Sequence, residues 1–154
     1  MKSDSRSQPP ASPRLDDETA ADVARDGLRL QGAVPIEPDA PIAVMLAPGE
    51  RLLTVRHMAR VELLAGSDVS PALGGSLYLT DRRLVVLEPP LDLPLDDIRD
   101  VDIADGELLV LADRSGGVRI RIDDPRVLRV EISAARLAYR AACGSRSVGQ
   151  ADSR

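Results

Sequence analysis

One histidine, His57, and one cysteine, Cys143, occur in the 154 residues. Any Ser-His-Asp or Cys-His relay would have to run through His57. His57 falls in the apolar phase of an alternating stretch, between Val55 and Ala59. It reads as a structural histidine on a core or barrel-rim face. Zinc needs a cluster of His and Cys ligands, and one of each is not a cluster. Cys143 has no partner for an intramolecular disulfide, which fits a reducing compartment. It reads as a small residue at a helix end.

The acidic run Asp96-Asp97-Ile98-Arg99-Asp100-Val101-Asp102-Ile103-Ala104-Asp105-Gly106-Glu107 invites a calcium reading. An EF-hand loop places ligands at positions 1, 3 and 5, Gly at 6 and a bidentate acid at 12. Counted from Asp100, the third acid is Asp105 at the sixth position, Gly106 is at the seventh and Leu111 at the twelfth. The register fails, and a strand with solvated acids is the better account. Gly74-Gly75 and Gly116-Gly117 lack the following helix and lysine of a phosphate loop. No catalytic, cofactor-binding or metal-ligating residue is assigned, and the chain reads as a non-enzyme.

Charge is more informative. From Glu88 to Asp113 there are nine acids and one base, Arg99; from Arg114 to Arg140 there are seven arginines and three acids. A second basic group comprises Arg51, Arg56, Arg60, Arg82 and Arg83. If the fold gathers Arg56, Arg60, Arg82 and Arg83, their guanidinium forks suit an anionic headgroup or an acidic peptide. The competing account is that they pair with nearby acids on a solvated face. Net charge is −5, with no Trp, no Phe and only Tyr78 and Tyr139. Those facts argue against nucleic acid, which needs phosphate neutralisation or stacking platforms.

The elements that would position these residues follow from periodicity. Residues 1–41 hold six prolines with many Ser, Asp and Ala, and read as a disordered tail. Within it, Leu15 to Leu30 reads at most as a transient helix weakened by Gly27. From Arg51 to Leu64 the period is two, with Leu53, Val55, His57, Ala59, Val61 and Leu63 in the apolar phase. A Gly- and Ser-rich loop spans Gly66 to Gly75. Ser76–Thr80 and Arg83–Glu88 form a hairpin about Asp81-Arg82, ended by Pro89-Pro90. Leu93–Ile103 and Glu107–Ala112 flank Asp105-Gly106, a two-residue hairpin turn. Gly116-Gly117 makes another turn, and Val118, Ile120 and Ile122 alternate again.

The final element has helical period. Asp124 is placed to cap it and Pro125 to start it. Val127, Val130, Ala134, Leu137, Ala138 and Ala141 fall on one side, and Leu128, Ile132, Ala135, Tyr139 and Ala142 on the adjoining side. Together they make an arc wider than one surface needs. Part of it would plug a barrel, and part is left for a partner or a second copy. Glu131 is the one charge inside that arc. Gly144 reads as the stop, with residues 145–154 as a flexible tail.

A β-meander followed by one amphipathic helix is the element order of pleckstrin-homology-like barrels. The run Gly75-Ser-Leu-Tyr-Leu-Thr-Asp-Arg-Arg-Leu-Val-Val-Leu87 resembles the central hairpin of GRAM domains and related bacterial PH-like domains, with Gly75, Tyr78, Thr80, Asp81 and Arg83 as fold-motif residues. Pro48-Gly49-Glu50-Arg51-Leu52-Leu53 resembles the family's opening strand, and Leu95-Asp-Asp-Ile-Arg-Asp-Val101 the strand after the hairpin. The resemblance implies a PH-like barrel or curled sandwich over residues 42–144, mainly β, with about seven antiparallel strands and a capping C-terminal helix. It also implies a binding module for proteins or membrane lipids. The expectation is a cytoplasmic interaction module without cofactor, binding a protein partner or itself through a sheet edge or the helix flank. The alternative is peripheral binding to the inner membrane surface through the arginines.

Overall fold

Asp16 places its carboxylate 2.8 Å from the Thr19 amide, a helix start, and Gly32 at φ 70° closes the same helix. The helix between them, α1, spans Asp17–Gln31. The structure, a computed structural model, describes residues 16–64, 74–88, 90–114 and 116–148. A helical turn, α2 (Ala40–Ala43), follows; the strands are β1 (Leu52–Leu63), β2 (Gly74–Thr80), β3 (Arg83–Val86), β4 (Leu91–Pro94), β5 (Ile98–Ala104), β6 (Glu107–Ala112) and β7 (Gly116–Arg121); the last element is helix α3 (Pro125–Val148).

The seven strands form one antiparallel sheet in the order β4-β3-β2-β1-β7-β6-β5. The two edges, β4 and β5, are consecutive in sequence and joined only by residues 95–97. A connection this short spans about 15 Å at most, so the sheet must curl until its edges approach at that corner. Into the curl α3 inserts Leu128, Ile132 and Ala135, each at most 2% exposed, against Leu77, Leu79, Val110 and Ile120. Burial of each large aliphatic side chain stabilises by about 1.5–3 kcal/mol. Seven antiparallel strands and a C-terminal helix are therefore the architecture, as expected.

Strand β1 departs from uninterrupted alternation. Its register on β2 slips once between Leu52 and Thr54 and again between Arg56 and Ala59. At the second bulge Met58 adopts φ 58°. The slips put Thr54 opposite Leu79 and Arg56 opposite Leu77, whereas Val55 lies opposite Tyr78 on the outer face. Beyond the second bulge Ala59 and Val61 face inward again. The expected inward positions of Val55 and His57 are thus corrected. A bulge reverses which parity of residue faces the core, and Arg56 takes the inward place.

Residues 16–41 correct the expected tail. Helix α1 packs on α3 through Ala21, which is 4% exposed. Farther along, Ile36 donates its amide to the Leu52 carbonyl at 2.9 Å, and Ile42 packs with Leu52, Tyr78 and Val85 in a small second core on the outer sheet face. Docked apolar contacts offset the ordering entropy that composition alone left uncompensated. Helix α3 also runs past Gly144 to Val148, so Gly144 is not a stop. Residues 1–15, most of the Gly66–Gly75 loop, Pro89 and residues 149–154 lie outside the described residues.

Gly117 belongs to β7 and not to a turn. Its φ is 137°, and a Cβ there would lie 2.5 Å from the Val110 carbonyl oxygen of the neighbouring strand. Gly117→Ala is expected to destabilise the fold by about 1–3 kcal/mol, read as a lower midpoint in urea unfolding at unchanged m-value.

Candidate functional site

The hairpin motif is a polar clamp. Asp81, in the β2–β3 turn, accepts hydrogen bonds from the Arg51 amide and Nε, both at 3.0 Å. Thr80 Oγ1 donates to Glu50 Oε1 at 2.7 Å and accepts from the Arg83 amide at 2.9 Å. Arg83 closes the clamp through Nε on Glu50 Oε1 at 2.8 Å, a second nitrogen on Glu50 Oε2 at 3.0 Å, and an ion pair with Asp92. The Glu50 side chain is 1% exposed. Burial alone would raise its carboxyl, but hydrogen bonds from Arg83, the Ala47 amide and Thr80 outweigh that and hold it below the ordinary value. Tyr78 donates to Asp39 at 3.1 Å, tying the outer face to the cap of α2. Gly75 sits where a Cβ would approach the Glu88 carbonyl to 2.5 Å. Every residue of the motif has a structural task.

Arg56 is equally committed. It binds both Asp124 oxygens at 3.0 Å and Glu131 Oε2 at 2.9 Å, and its side chain is 18% exposed. Burial raises the Glu131 carboxyl, and Arg56 opposes that rise without cancelling it. The lone charge in the apolar arc of α3 is thereby explained. Asp124 does not cap α3 with its side chain as expected, because Arg56 holds that carboxylate. Instead Asp17 of α1 accepts from the Arg126 and Val127 amides at 3.0 and 3.4 Å. A helix start left without side-chain acceptors carries unsatisfied amides, and here a distant carboxylate supplies them.

The four arginines are not brought together. Arg56 and Arg83 are half-buried in separate ion-pair clusters. Arg60 lies opposite Gly74, at the start of β2, whereas Arg82 follows its end. The length of β2 separates them by about 20 Å. His57, exposed at the bulge, has Nδ1 3.0 Å from Ser76 Oγ. Cys143 is exposed on α3. Val101 is 4% exposed, so the acidic run is a strand with a core face. Among the described residues no group of three or more His, Cys, Asp or Glu could hold a metal ion.

Both sheet edges carry features that disfavour an added strand. On β5 the outward amides of Val101 and Ile103 are taken by the Asp100 and Asp102 carboxylates, each at 2.8 Å. Arg136 of α3 covers the start of that edge by donating to the Ile98 and Arg99 carbonyls. Strand β4 has four residues and ends on Pro94. Short length, proline and edge-facing charge are the devices that block strand addition.

Among the described residues the helix flank is open. A groove of about 1000 Å³ lies between α1 and α3. Its apolar wall is the row Val130, Ala134, Leu137, Ala138 and Ala141, with Leu28 opposite. The adjoining row, Leu128, Ile132 and Ala135, is the one that plugs the sheet. Leu137 is 72% exposed. The wide apolar arc thus divides into a buried half and an open half. Sequence reasoning found the arc but read α1 as at most a transient helix, because the contacts that order α1 come from α3, 109 residues later for the Asp17–Arg126 bond.

No family model matches the chain, and no curated protein matches it. Among solved structures it is similar to the Vps36 N-terminal PH domain, with a TM-score of 0.47 and 17% identity over 64% of this chain and 86% of that one.

Removing Arg83 strands the buried Glu50 carboxylate, so Arg83→Ala is expected to cost about 3–5 kcal/mol. Arg60→Ala, on an exposed side chain, should change stability by less than about 0.5 kcal/mol. Both are read by chemical denaturation. A carboxyl held below its ordinary value in the fold contributes stability that is present above that value and lost as pH falls through the depressed one. Wild type should therefore lose stability steeply below the usual glutamate range, and Glu50→Gln should flatten that acid limb.

Proposed function

We propose that this chain is a non-catalytic, PH-like interaction module that binds a protein partner through the α3 flank beside α1. The observation that carries this reading is the division of α3: one apolar row completes the core, and a second lines an open groove. Two other routes are weakened by the geometry. Strand addition meets protected edges at β5 and β4. Anionic headgroups would need a convergent basic site, yet Arg56 and Arg83 are spent internally and Arg60 and Arg82 lie at opposite ends of β2. Among the described residues no helix is long and apolar enough to cross a membrane.

A photo-crosslinking residue at Leu137 is expected to capture one discrete protein in cells, and the same residue at Arg82 to capture none. Salt-sensitive sedimentation of the purified chain with anionic vesicles, with no crosslink at Leu137, would replace this reading with membrane binding.

A further inference from the structure

The charges of the two helices are complementary. Between Pro125 and Arg140, α3 carries Arg126, Arg129, Arg136 and Arg140 against the single acid Glu131, whose carboxylate is turned to Arg56. Helix α1 with its cap carries Asp16, Asp17, Glu18, Asp22 and Asp26 against Arg25 and Arg29. The acidic helix lies on the basic one. Asp17 bonds the first amides of α3, and Arg126 reaches Asp17 at 3.9 Å and Glu18 at 3.6 Å.

That attachment is a narrow stripe in which Ala20, Ala24 and Leu28 are half-buried. Ala21 is the one buried residue of α1. Of its other large apolar residues, Val23 is 65% and Leu30 84% exposed. The chain after it, residues 32–37, is exposed throughout. Few buried contacts and an exposed tether place α1 at the low-stability end of the molecule. Arg126 and Arg129 of α3, 48% and 49% exposed, stand beside the groove above the apolar row of α3.

We propose that α1 is a displaceable occupant of the α3 flank, and that the protein recognised there presents an acidic amphipathic helix of the same chemistry. This rests on the flank being the docking face. A tethered helix competes at a high effective concentration, so a partner sees its affinity reduced by the fraction of molecules in which α1 is off. Apolar residues of the incoming helix at i, i+3, i+4 and i+7 would meet Val130, Ala134 and Leu137, and its acids would meet the arginines.

The test uses the full chain and a labelled synthetic peptide of residues 16–32 of this sequence. In the double variant Asp17→Ala, Ala21→Glu, hydrogen exchange over α1 should quicken at least tenfold while exchange in β2, β6 and β7 stays unchanged. The peptide should then bind this variant at least tenfold more tightly than wild type. Adding Leu137→Glu to the variant should abolish that binding. Replacing the peptide's Asp and Glu by Asn and Gln should weaken it at least tenfold. If the double variant perturbs the sheet, Asp17→Ala alone, which removes the acceptor of the first α3 amides and leaves Ala21 in place, is carried through the same measurements. Unchanged exchange in α1, equal peptide binding to wild type and variant, or no binding once α1 is released would each overturn the proposal. A Leu137 crosslink that persists while the peptide fails would leave the docking face standing and remove only the acidic-helix partner.

Discussion

The Arg56 guanidinium, held between Asp124 and Glu131, fixes much of the rest. A charge this enclosed must be paired, and its partners are the residue just before α3 and one in the second turn of that helix. The pairing therefore pins the start of α3 to one point on β1. From that point the row Leu128, Ile132 and Ala135 enters the curled sheet. The same pairing takes the Asp124 carboxylate away from the α3 amides. Asp17 fills that place, and α1 is drawn onto the α3 flank. One ion cluster thus orders three elements distant in sequence.

The sequence made the sheet legible because its signals are local. Asp105 and Gly106 both adopt positive φ, at 53° and 77°, as the two-residue turn between β5 and β6 requires. The Asp81-Arg82 turn, the short strands and the change to helical period at Pro125 were equally readable. Three features were not. The bulge at His57-Met58 leaves no mark in an alternating pattern, because an inserted residue only shifts the phase. The order in residues 16–50 depends on surfaces built later in the chain, such as Tyr78 for Asp39 and Arg126 for Asp17. Arginines that read as a possible ligand site were distinguishable from clamps only once their carboxylates, Glu50, Asp124 and Glu131, were placed in space.

The site follows the same division. A broad apolar arc on α3 was visible in the spacing, and its excess over what a plug requires was visible too. Which row faced inward was not, since Leu128 and Val127 differ by one position on a helix of unknown roll. The Arg56 pairing to Glu131 sets that roll. It turns Leu128, Ile132 and Ala135 to the sheet and leaves Val130, Ala134 and Leu137 to the groove. The interior electrostatics and the exterior surface are therefore settled by one contact.

The position of β1 also governs the order of assembly. It is hydrogen-bonded on one side to β2, the next strand in the chain, and on the other to β7, with Leu63 opposite Val118. During synthesis the β1–β2–β3 hairpins can zip as soon as they emerge. The far side of β1 keeps its amides and carbonyls unsatisfied until more than fifty further residues have been made. Non-local pairing of this kind is slow, because the loop must close before any contact compensates for it. The nascent chain therefore passes through a stage with a naked strand at its centre. That strand carries Arg56, Arg60 and Glu62, charges that discourage a neighbouring chain from pairing there first.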